Sequence, residues 1–198
     1  SRFYLRRSDR LAWSGPRGPL TQADQLVQAL VELEADALNP EAYGVRAIAA
    51  NISLIRGTEG MPSADLDRLV ELDLQLTAAF LQSARHLLVG RVIPRNVDGD
   101  WTVNSPTGDL AGLLETALAL NRVHSSLLTL RPRRPEYRRL QKTRELYLAL
   151  AAKGGWPHVP QVDPFDRAPR GGVLEILRRR LSSGDDDPPP DGGLLETG

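Results

Sequence analysis

The fold is decided by residues 63–90, which read SADLDRLVELDLQLTAAFLQSARHLLVG. Ser63 is a residue type that caps helix N-termini, and Gly90 is typical of a helix C-terminus. When the stretch is wound as an α-helix, its apolar side chains fall on one broad stripe, opposite most of the charged ones. That stripe contains Leu66, Leu69, Val70, Leu76, Phe80, Ala84, Leu87 and Leu88. The pattern predicts a long amphipathic helix that ends at Val89 and forms the main element of a helical core.

Two polar residues, Asp73 and Thr77, lie in the middle of this apolar stripe. An isolated charge is too costly to bury, so a carboxylate at this position must be paired or must accept several hydrogen bonds. Arg144, which shares a predicted helix face with apolar residues, is the candidate partner for Asp73, and Arg91 is its competitor. We therefore expect these four residues to form a structural polar core rather than a ligand site.

Helix-capping and helix-breaking residues on both sides of the long helix predict five further helices. They span residues 21–38, 39–56, 109–120, 121–130 and 135–153. Thr21 is the expected N-cap of the first. The clearest start is Asn39-Pro40-Glu41, because Asn caps well, Pro suits the first helical position and Glu favours the positive end of the helix dipole. The sequence thus predicts an all-α fold, an irregular helical bundle of about six helices.

The two ends of the chain differ from this helical body. Residues 1–20 combine aromatic residues with a turn rich in Gly and Pro, which predicts a lead-in segment packed on the body. Residues 161–184 are predicted to form a linker and one short helix, and residues 185–198 an acidic Pro/Gly tail that has almost nothing to bury. The predicted organisation is a helical domain of residues 1–160 with a flexible C-terminal extension.

The composition excludes several kinds of chemistry. The 198 residues include no cysteine, so disulfides, thiolate-bound metals and a cysteine nucleophile are excluded. The 25 basic and 25 acidic residues balance, so no whole-molecule field attracts nucleic acid or anionic lipid. No apolar run approaches the length of about 18 residues that would predict a membrane span. The three histidines are not at metal-ligand spacing. We therefore assign no catalytic, cofactor-binding or metal-binding residue.

One local charge cluster offers an alternative function. Residues 131–144 contain seven arginines and lysines against a single acid, Glu136. Such a stretch could hold an anionic partner, which would make the chain a stand-alone helical interaction module. Nucleic acid is not the expected partner, because the chain is neutral overall and contains no recognised nucleic-acid motif. A third interpretation, a hydrolase that uses His124-Ser125-Ser126, needs a spatial triad that adjacency in sequence does not supply.

Several short motifs occur in order along residues 3–160. They are Phe3-Tyr4 with Ala12-Trp13; Asp36-Ala37-Leu38-Asn39-Pro40-Glu41-Ala42-Tyr43; Glu71-Leu72-Asp73-Leu74 with Leu76-Thr77; Gly90-Arg91-Val92; Leu130-Arg131-Pro132; and Gly154-Gly155-Trp156-Pro157. In this combination they resemble the N-terminal helical scaffold region of the large multi-domain bacterial L,D-transpeptidases. The resemblance implies scaffold-signature positions at Trp13, Tyr43, Trp156 and Pro157, besides residues of the expected polar core.

The resemblance also implies a place of action and a role. Members of that family crosslink peptidoglycan stem peptides with a cysteine thiolate in a separate β-rich domain, and no cysteine exists here. The implied role is a non-catalytic scaffold domain in peptidoglycan crosslinking and cell-wall remodelling, in the cell envelope and specifically the periplasm. The implied partners are peptidoglycan, or the catalytic and wall-binding domains of the same parent protein, an L,D-transpeptidase. Residues 172–184 resemble the first helix of a small peptidoglycan-binding module.

Overall fold

The computed structural model of the chain describes residues 2–57, 64–91, 108–159 and 172–182. These ranges contain eight α-helices joined by turns. They are α1 (Arg2–Arg6), α2 (Thr21–Glu32), α3 (Val45–Gly57), α4 (Ala64–Val89), α5 (Leu110–Ala119), α6 (Val123–Leu128), α7 (Pro135–Ala152) and α8 (Gly172–Ser182). The only strands in the described part of the chain, β1 (Ser14–Gly15) and β2 (Gly18–Pro19), pair antiparallel in one small hairpin. The predicted all-α fold is confirmed.

The hydrophobic core of the N-terminal part is built on α4, as its sequence pattern predicts. This helix packs against α2, α3, α5 and α6. Its buried apolar residues are Leu69, Leu72, Leu76, Ala79, Phe80, Ala84 and Leu87. The predicted stripe is wrong at Leu66 and Val70, which are 56% and 40% exposed. Leu66 lies in the first turn of α4 and Val70 lies at the edge of the stripe, and neither position is well covered by other residues that the structure describes.

The predicted helix 21–38 contains two kinds of helix. The α-helical part ends at Glu32, and a 3-10 turn follows over Leu33–Asp36. Ala37 then adopts a left-handed conformation with φ of 57°, which an α-helix cannot contain. The predicted N-cap Thr21 is wrong, because the capping position is Leu20 and no side chain caps this helix.

The predicted helix 39–56 is interrupted in a similar way. Asn39 accepts a hydrogen bond on Oδ1 from the backbone N–H of Glu41, at 2.9 Å, as its capping pattern predicts. The turn that it caps is a 3-10 helix over Pro40–Tyr43. Gly44 ends this turn with φ of 72°, a conformation that glycine adopts without strain. Helix α3 therefore starts anew at Val45.

The chain divides into two compact units, Ser1–Gln141 and Lys142–Gly198. The first unit ends before the boundary predicted at residue 160, and α7 contributes residues to both units. No residue of α7 is buried. Leu140, Tyr147 and Leu148 share a face, as predicted, but are 67%, 54% and 49% exposed. Periodicity determines which side chains share a face, whereas burial requires a second apolar surface against that face.

Parts of the predicted C-terminal extension lie outside the described residues. These are the linker part of residues 161–184, before residue 172, and the acidic tail, whereas α8 coincides with the short helix that the sequence predicts. Among the helices that the structure describes, none has both the length and the apolar composition needed to cross a membrane.

Candidate functional site

The expected polar core is centred on Asp73, which is completely buried on α4. Its Oδ1 accepts hydrogen bonds from the backbone N–H groups of Ala12 at 2.7 Å and Trp13 at 2.8 Å. Its Oδ2 accepts a hydrogen bond of 2.6 Å from the hydroxyl of Tyr4. The donors therefore come from the N-terminal segment, which is tied through this carboxylate to the middle of α4.

Thr77, one turn further along α4, extends this set of hydrogen bonds. The indole N–H of Trp13 donates to Thr77 Oγ1 at 2.9 Å, and the hydroxyl of Tyr4 lies 2.9 Å from the same oxygen. The indole can only donate. Tyr4 has a single hydroxyl proton, which it donates to Asp73, so in the contact between Tyr4 and Thr77 the donor is Thr77. The hydrogen bonds therefore run in one direction, from Trp13 through Thr77 and Tyr4 to Asp73. We call Tyr4, Ala12, Trp13, Asp73 and Thr77 the Asp73 cluster.

Tyr4 remains a neutral donor in this cluster. Burial, and then its hydrogen bond to Asp73, raise the pKa of the phenol well above its ordinary value. Asp73 thus obtains its hydrogen bonds from two amides and one phenol, all of them uncharged. Hydrogen bonds to a carboxylate are stronger than those between neutral groups, so three of them satisfy a buried charge without a cation.

The predicted arginine partner of Asp73 is wrong, since neither Arg91 nor Arg144 is among the donors. Arg91 is exposed and lies near His86, whose pKa is lowered by burial first and by Arg91 second. Arg144 is half-buried on α7. The sequence alone favoured a guanidinium because it does not reveal that two backbone amides reach the carboxylate.

A second buried carboxylate is that of Asp36. Its side chain has no exposed surface. Oδ2 accepts a hydrogen bond of 2.8 Å from Nε of Arg131, and Nη2 of the same guanidinium lies 2.8 Å from this oxygen as an ion-pair contact. Oδ1 accepts from the hydroxyl of Tyr137 at 2.7 Å and from the amide of Gln141 at 2.8 Å. We call these four residues the Asp36 cluster.

The Asp36 cluster ties the end of α2 to the start of α7. Arg131 also donates from Nη2 to the backbone carbonyl of Glu32, at 2.9 Å. Burial, and then the bond to Asp36, raise the pKa of Tyr137 well above its ordinary value. Asp36 and Arg131 both occur in motifs that carry the family resemblance. That occurrence is the one sequence signal that could have identified the cluster.

The signature aromatic residues also have internal contacts. Trp13 is fully buried in the Asp73 cluster. Tyr43 is buried, and its hydroxyl lies 2.9 Å from Nδ1 of His86. In the second unit, Trp156 is 43% exposed and its ring lies edge-on to Tyr147, with 5.6 Å between the ring centres. The carbonyl of its neighbour Pro157 accepts a hydrogen bond of 3.1 Å from Arg180.

The adjacent His124 and Ser125 do not form a nucleophile and base pair. Nε2 of His124 lies 2.9 Å from a carboxylate oxygen of Glu32, and this bond lowers the pKa of Glu32. The hydroxyl of Ser125 donates to the backbone carbonyl of Arg122 at 3.3 Å. Within the ranges that the structure describes, no group of three or more His, Asp or Glu side chains is placed to hold a metal ion.

A cleft of about 380 Å³ opens on the first unit beside the Asp36 cluster. It is lined by Leu128, Thr129, Arg131, Pro132, Arg133, Tyr137, Arg138 and Gln141. We call it the basic cleft, because three arginines line it. Arg131 pairs with Asp36. Arg133 and Arg138 are exposed, and neither forms an ion pair with any residue that the structure describes.

Comparison with known proteins gives one match. The family described as "Scaffold domain" matches residues 1–143, which is most of the chain and ends close to the boundary of the first compact unit at Gln141. No curated protein and no solved structure matches the chain. Both buried-carboxylate clusters lie within the matched range. The chain therefore belongs to the Scaffold domain family.

Proposed function

We propose that this chain is the non-catalytic scaffold domain of an L,D-transpeptidase-like protein that takes part in peptidoglycan crosslinking and cell-wall remodelling. The observation that carries the proposal is that residues of the motifs resembling that family form hydrogen bonds with one another inside the domain. Tyr4, Trp13, Asp73 and Thr77 bond to one another in the interior. Asp36 and Arg131 do the same at the other end of the matched range. Residues that serve to build a rigid body support a structural role.

The absence of cysteine also supports a structural role for this chain and a catalytic role for another domain. Acyl transfer through a thioester needs a thiolate, and the chain contains none. In this proposal the chemistry belongs to a catalytic domain of the parent protein, in the periplasm. The scaffold supplies a fixed geometry between that domain and a wall-binding domain. Linking two modules at a suitable distance raises the effective concentration of each at a shared polymer.

The test uses a parent protein that contains this domain and a cysteine-bearing catalytic domain. We expect that deleting the part equivalent to residues 1–141 lowers the fraction of crosslinked stem peptides in digested cell walls. Circular dichroism of the deletion variant should show that the catalytic domain remains folded. Unchanged crosslinking by a folded deletion variant would contradict the scaffold role. A parent sequence without a catalytic cysteine would contradict the link to L,D-transpeptidases.

A second candidate function is a helical interaction module that binds an anionic partner through residues 131–144. The observation that favours it is the pair of exposed guanidiniums, Arg133 and Arg138, on one cleft. Binding of an anionic polymer such as dextran sulfate should weaken steeply with added salt. It should also weaken on charge reversal at Arg138 and Arg139. Binding that is insensitive to salt and to both reversals would rule this function out.

A further inference from the structure

We propose that the basic cleft binds a short acidic segment of a partner polypeptide, one that presents two carboxylates and backbone N–H groups. This inference rests on the second candidate function and narrows it to one cleft and one kind of occupant. It does not depend on the link to L,D-transpeptidases, because its argument uses only the groups that line the cleft.

The charges of the cleft distinguish two kinds of arginine. Arg131 uses Nε and Nη2 on Asp36, and its side chain is 27% exposed. Arg133 and Arg138 are exposed, and neither has an acidic partner in the described part of the chain. A guanidinium matches a carboxylate with two parallel hydrogen bonds. The cleft therefore offers two cationic positions, a number that suits a segment with two carboxylates.

The neutral groups of the cleft distinguish a peptide from a nucleic acid. The hydroxyl proton of Thr129 is donated to the carbonyl of Ser126 at 2.8 Å, which leaves its oxygen as an acceptor. Gln141 donates its amide to Asp36, which leaves its carbonyl oxygen as an acceptor. Acceptors of this kind need a ligand that donates. A polypeptide backbone carries an N–H at each non-proline residue, whereas the phosphodiester groups of a nucleic acid carry no donor and only its bases and a ribose 2′-hydroxyl can supply one.

The walls of the cleft add an apolar contribution. Leu128, Pro132 and the ring of Tyr137 lie among the lining residues. Alanine or other aliphatic residues between two acidic residues of a peptide could pack against them and bury apolar surface, whereas a highly hydrated polyanion would bury little apolar surface there. Aromatic stacking of bases is not favoured, since Tyr137 is the one aromatic residue of the lining.

The Asp36 cluster holds part of this surface in place before a ligand arrives. Arg131, Tyr137 and Gln141 line the cleft, and all three donate to Asp36. Their positions are thus fixed by a buried hydrogen-bond network rather than by the ligand. A surface that is already ordered loses less conformational entropy on binding, which favours affinity for a short peptide.

The test measures binding of dye-labelled, end-capped peptides to the full chain by fluorescence anisotropy. The probes carry two glutamates separated by one, two or three alanines, and the control peptides carry glutamine in place of glutamate. We expect salt-sensitive binding of at least one glutamate peptide. The double variant Arg133→Glu with Arg138→Glu should weaken it about tenfold or more, because each reversal replaces an attraction with a repulsion.

The chain supplies its own matched control. Arg134 and Arg139 are exposed neighbours in the same basic stretch but do not line the cleft. The double variant Arg134→Glu with Arg139→Glu changes the net charge equally, so it should weaken binding only by about two- to threefold through screened, longer-range charge. All four arginines are exposed, and unchanged circular dichroism should verify that both double variants fold.

Four results would overturn the proposal. They are no binding of any glutamate peptide, equal loss of binding in the two double variants, equal binding of the glutamine peptides, and tighter binding of a single-stranded oligonucleotide than of any glutamate peptide. If no peptide binds while dextran sulfate still binds in a salt-sensitive way, the cleft proposal fails and the anionic-partner function stands. If neither binds, both fail.

Discussion

The two buried carboxylates of the first unit, Asp73 and Asp36, are stabilised by different kinds of donor. Asp73 accepts hydrogen bonds only from neutral groups, two backbone amides and the phenol of Tyr4. Asp36 is paired with the guanidinium of Arg131 and accepts two neutral bonds in addition. A buried charge thus requires donors, and a counter-charge is only one source of them. The source depends on which groups the fold brings to that point.

The positions of the two clusters explain this difference. Asp73 lies opposite residues 12–13, which precede the β1–β2 hairpin and have amides that no helix uses. Asp36 lies where the end of α2 meets the start of α7, and side chains supply all its donors there. Asp73 and Tyr4 are separated by 69 positions in sequence, and Asp36 and Gln141 by 105. One carboxylate therefore secures the beginning of the matched domain and the other its end.

The largest effect is expected from Asp73→Ala. It would leave two buried amides without their acceptor and would restrict the hydroxyl of Tyr4 to the backbone carbonyl of residue 73, at a cost of roughly 3–5 kcal/mol in the free energy of unfolding. Asp73→Asn retains an acceptor oxygen for the two amides and should cost clearly less. Chemical denaturation of both variants measures the difference. A loss below about 1 kcal/mol for Asp73→Ala would contradict the inference that the hydrogen bonds to this carboxylate stabilise the fold.

A smaller loss, roughly 2–4 kcal/mol, is expected from Asp36→Ala. The substitution leaves Arg131 unpaired, but this side chain is 27% exposed and retains its bond to the carbonyl of Glu32. The control is Asp24→Ala, which removes an exposed ion pair with Arg56 at 2.7 Å. That pair should contribute less than about 1 kcal/mol. Equal losses from the two substitutions would show that burial of Asp36 is unimportant.

The two tyrosines allow a closer comparison. Tyr4→Phe removes one of three donors to Asp73, and none of the remaining donors is cationic, so we expect a loss of about 1.5–2 kcal/mol. Tyr137→Phe removes one of three hydrogen bonds to Asp36, and the ion pair with Arg131 remains, so we expect about 1 kcal/mol. Denaturant midpoints at constant m-value give both numbers. A greater loss for Tyr137→Phe would reverse the proposed ranking.

The smallest effect is expected on alkaline titration. Folding raises the pKa of both Tyr4 and Tyr137 above the ordinary value of about 10. The unfolded chain then loses these protons first, so their contribution is complete below pH 10 and declines as the pH rises above it. Each Tyr→Phe variant should lose stability less steeply than the parent chain above pH 10. Identical dependence of stability on pH for the parent and the variants would contradict the inference that folding raises the pKa of these tyrosines.

The sequence predicted the helices better than the contacts between them. The stripe on α4 identified Asp73 and Thr77 as buried, because hydrophobic periodicity reports which face of a helix is covered. Two of the three donors to Asp73 could not be predicted, since backbone amides carry no sequence signal. Periodicity does not identify Asp36 as buried, because a carboxylate in an acidic stretch is usually solvated. The face of α7 was predictable, but its exposure was not, because burial depends on a second surface.

The same limits apply to the proposed binding surface. Composition identified residues 131–144 as basic, and the charge pattern alone gave Arg138 and Arg139 equal weight. The structure places Arg138 on the cleft and Arg139 outside it. Neighbouring residues of a helix point in different directions, so a linear charge cluster overstates the number of charges that can act on one ligand.

Amide hydrogen exchange on the full chain tests most directly whether Asp73 fastens the N-terminal segment to the body of the domain. The amides of Ala12 and Trp13 donate to this buried carboxylate and lie outside any helix. We predict that they exchange only when the first unit unfolds globally, at rates similar to those of the buried turns of α4 around Leu76. Exchange of these two amides by local opening, orders of magnitude faster than the α4 core, would contradict this claim.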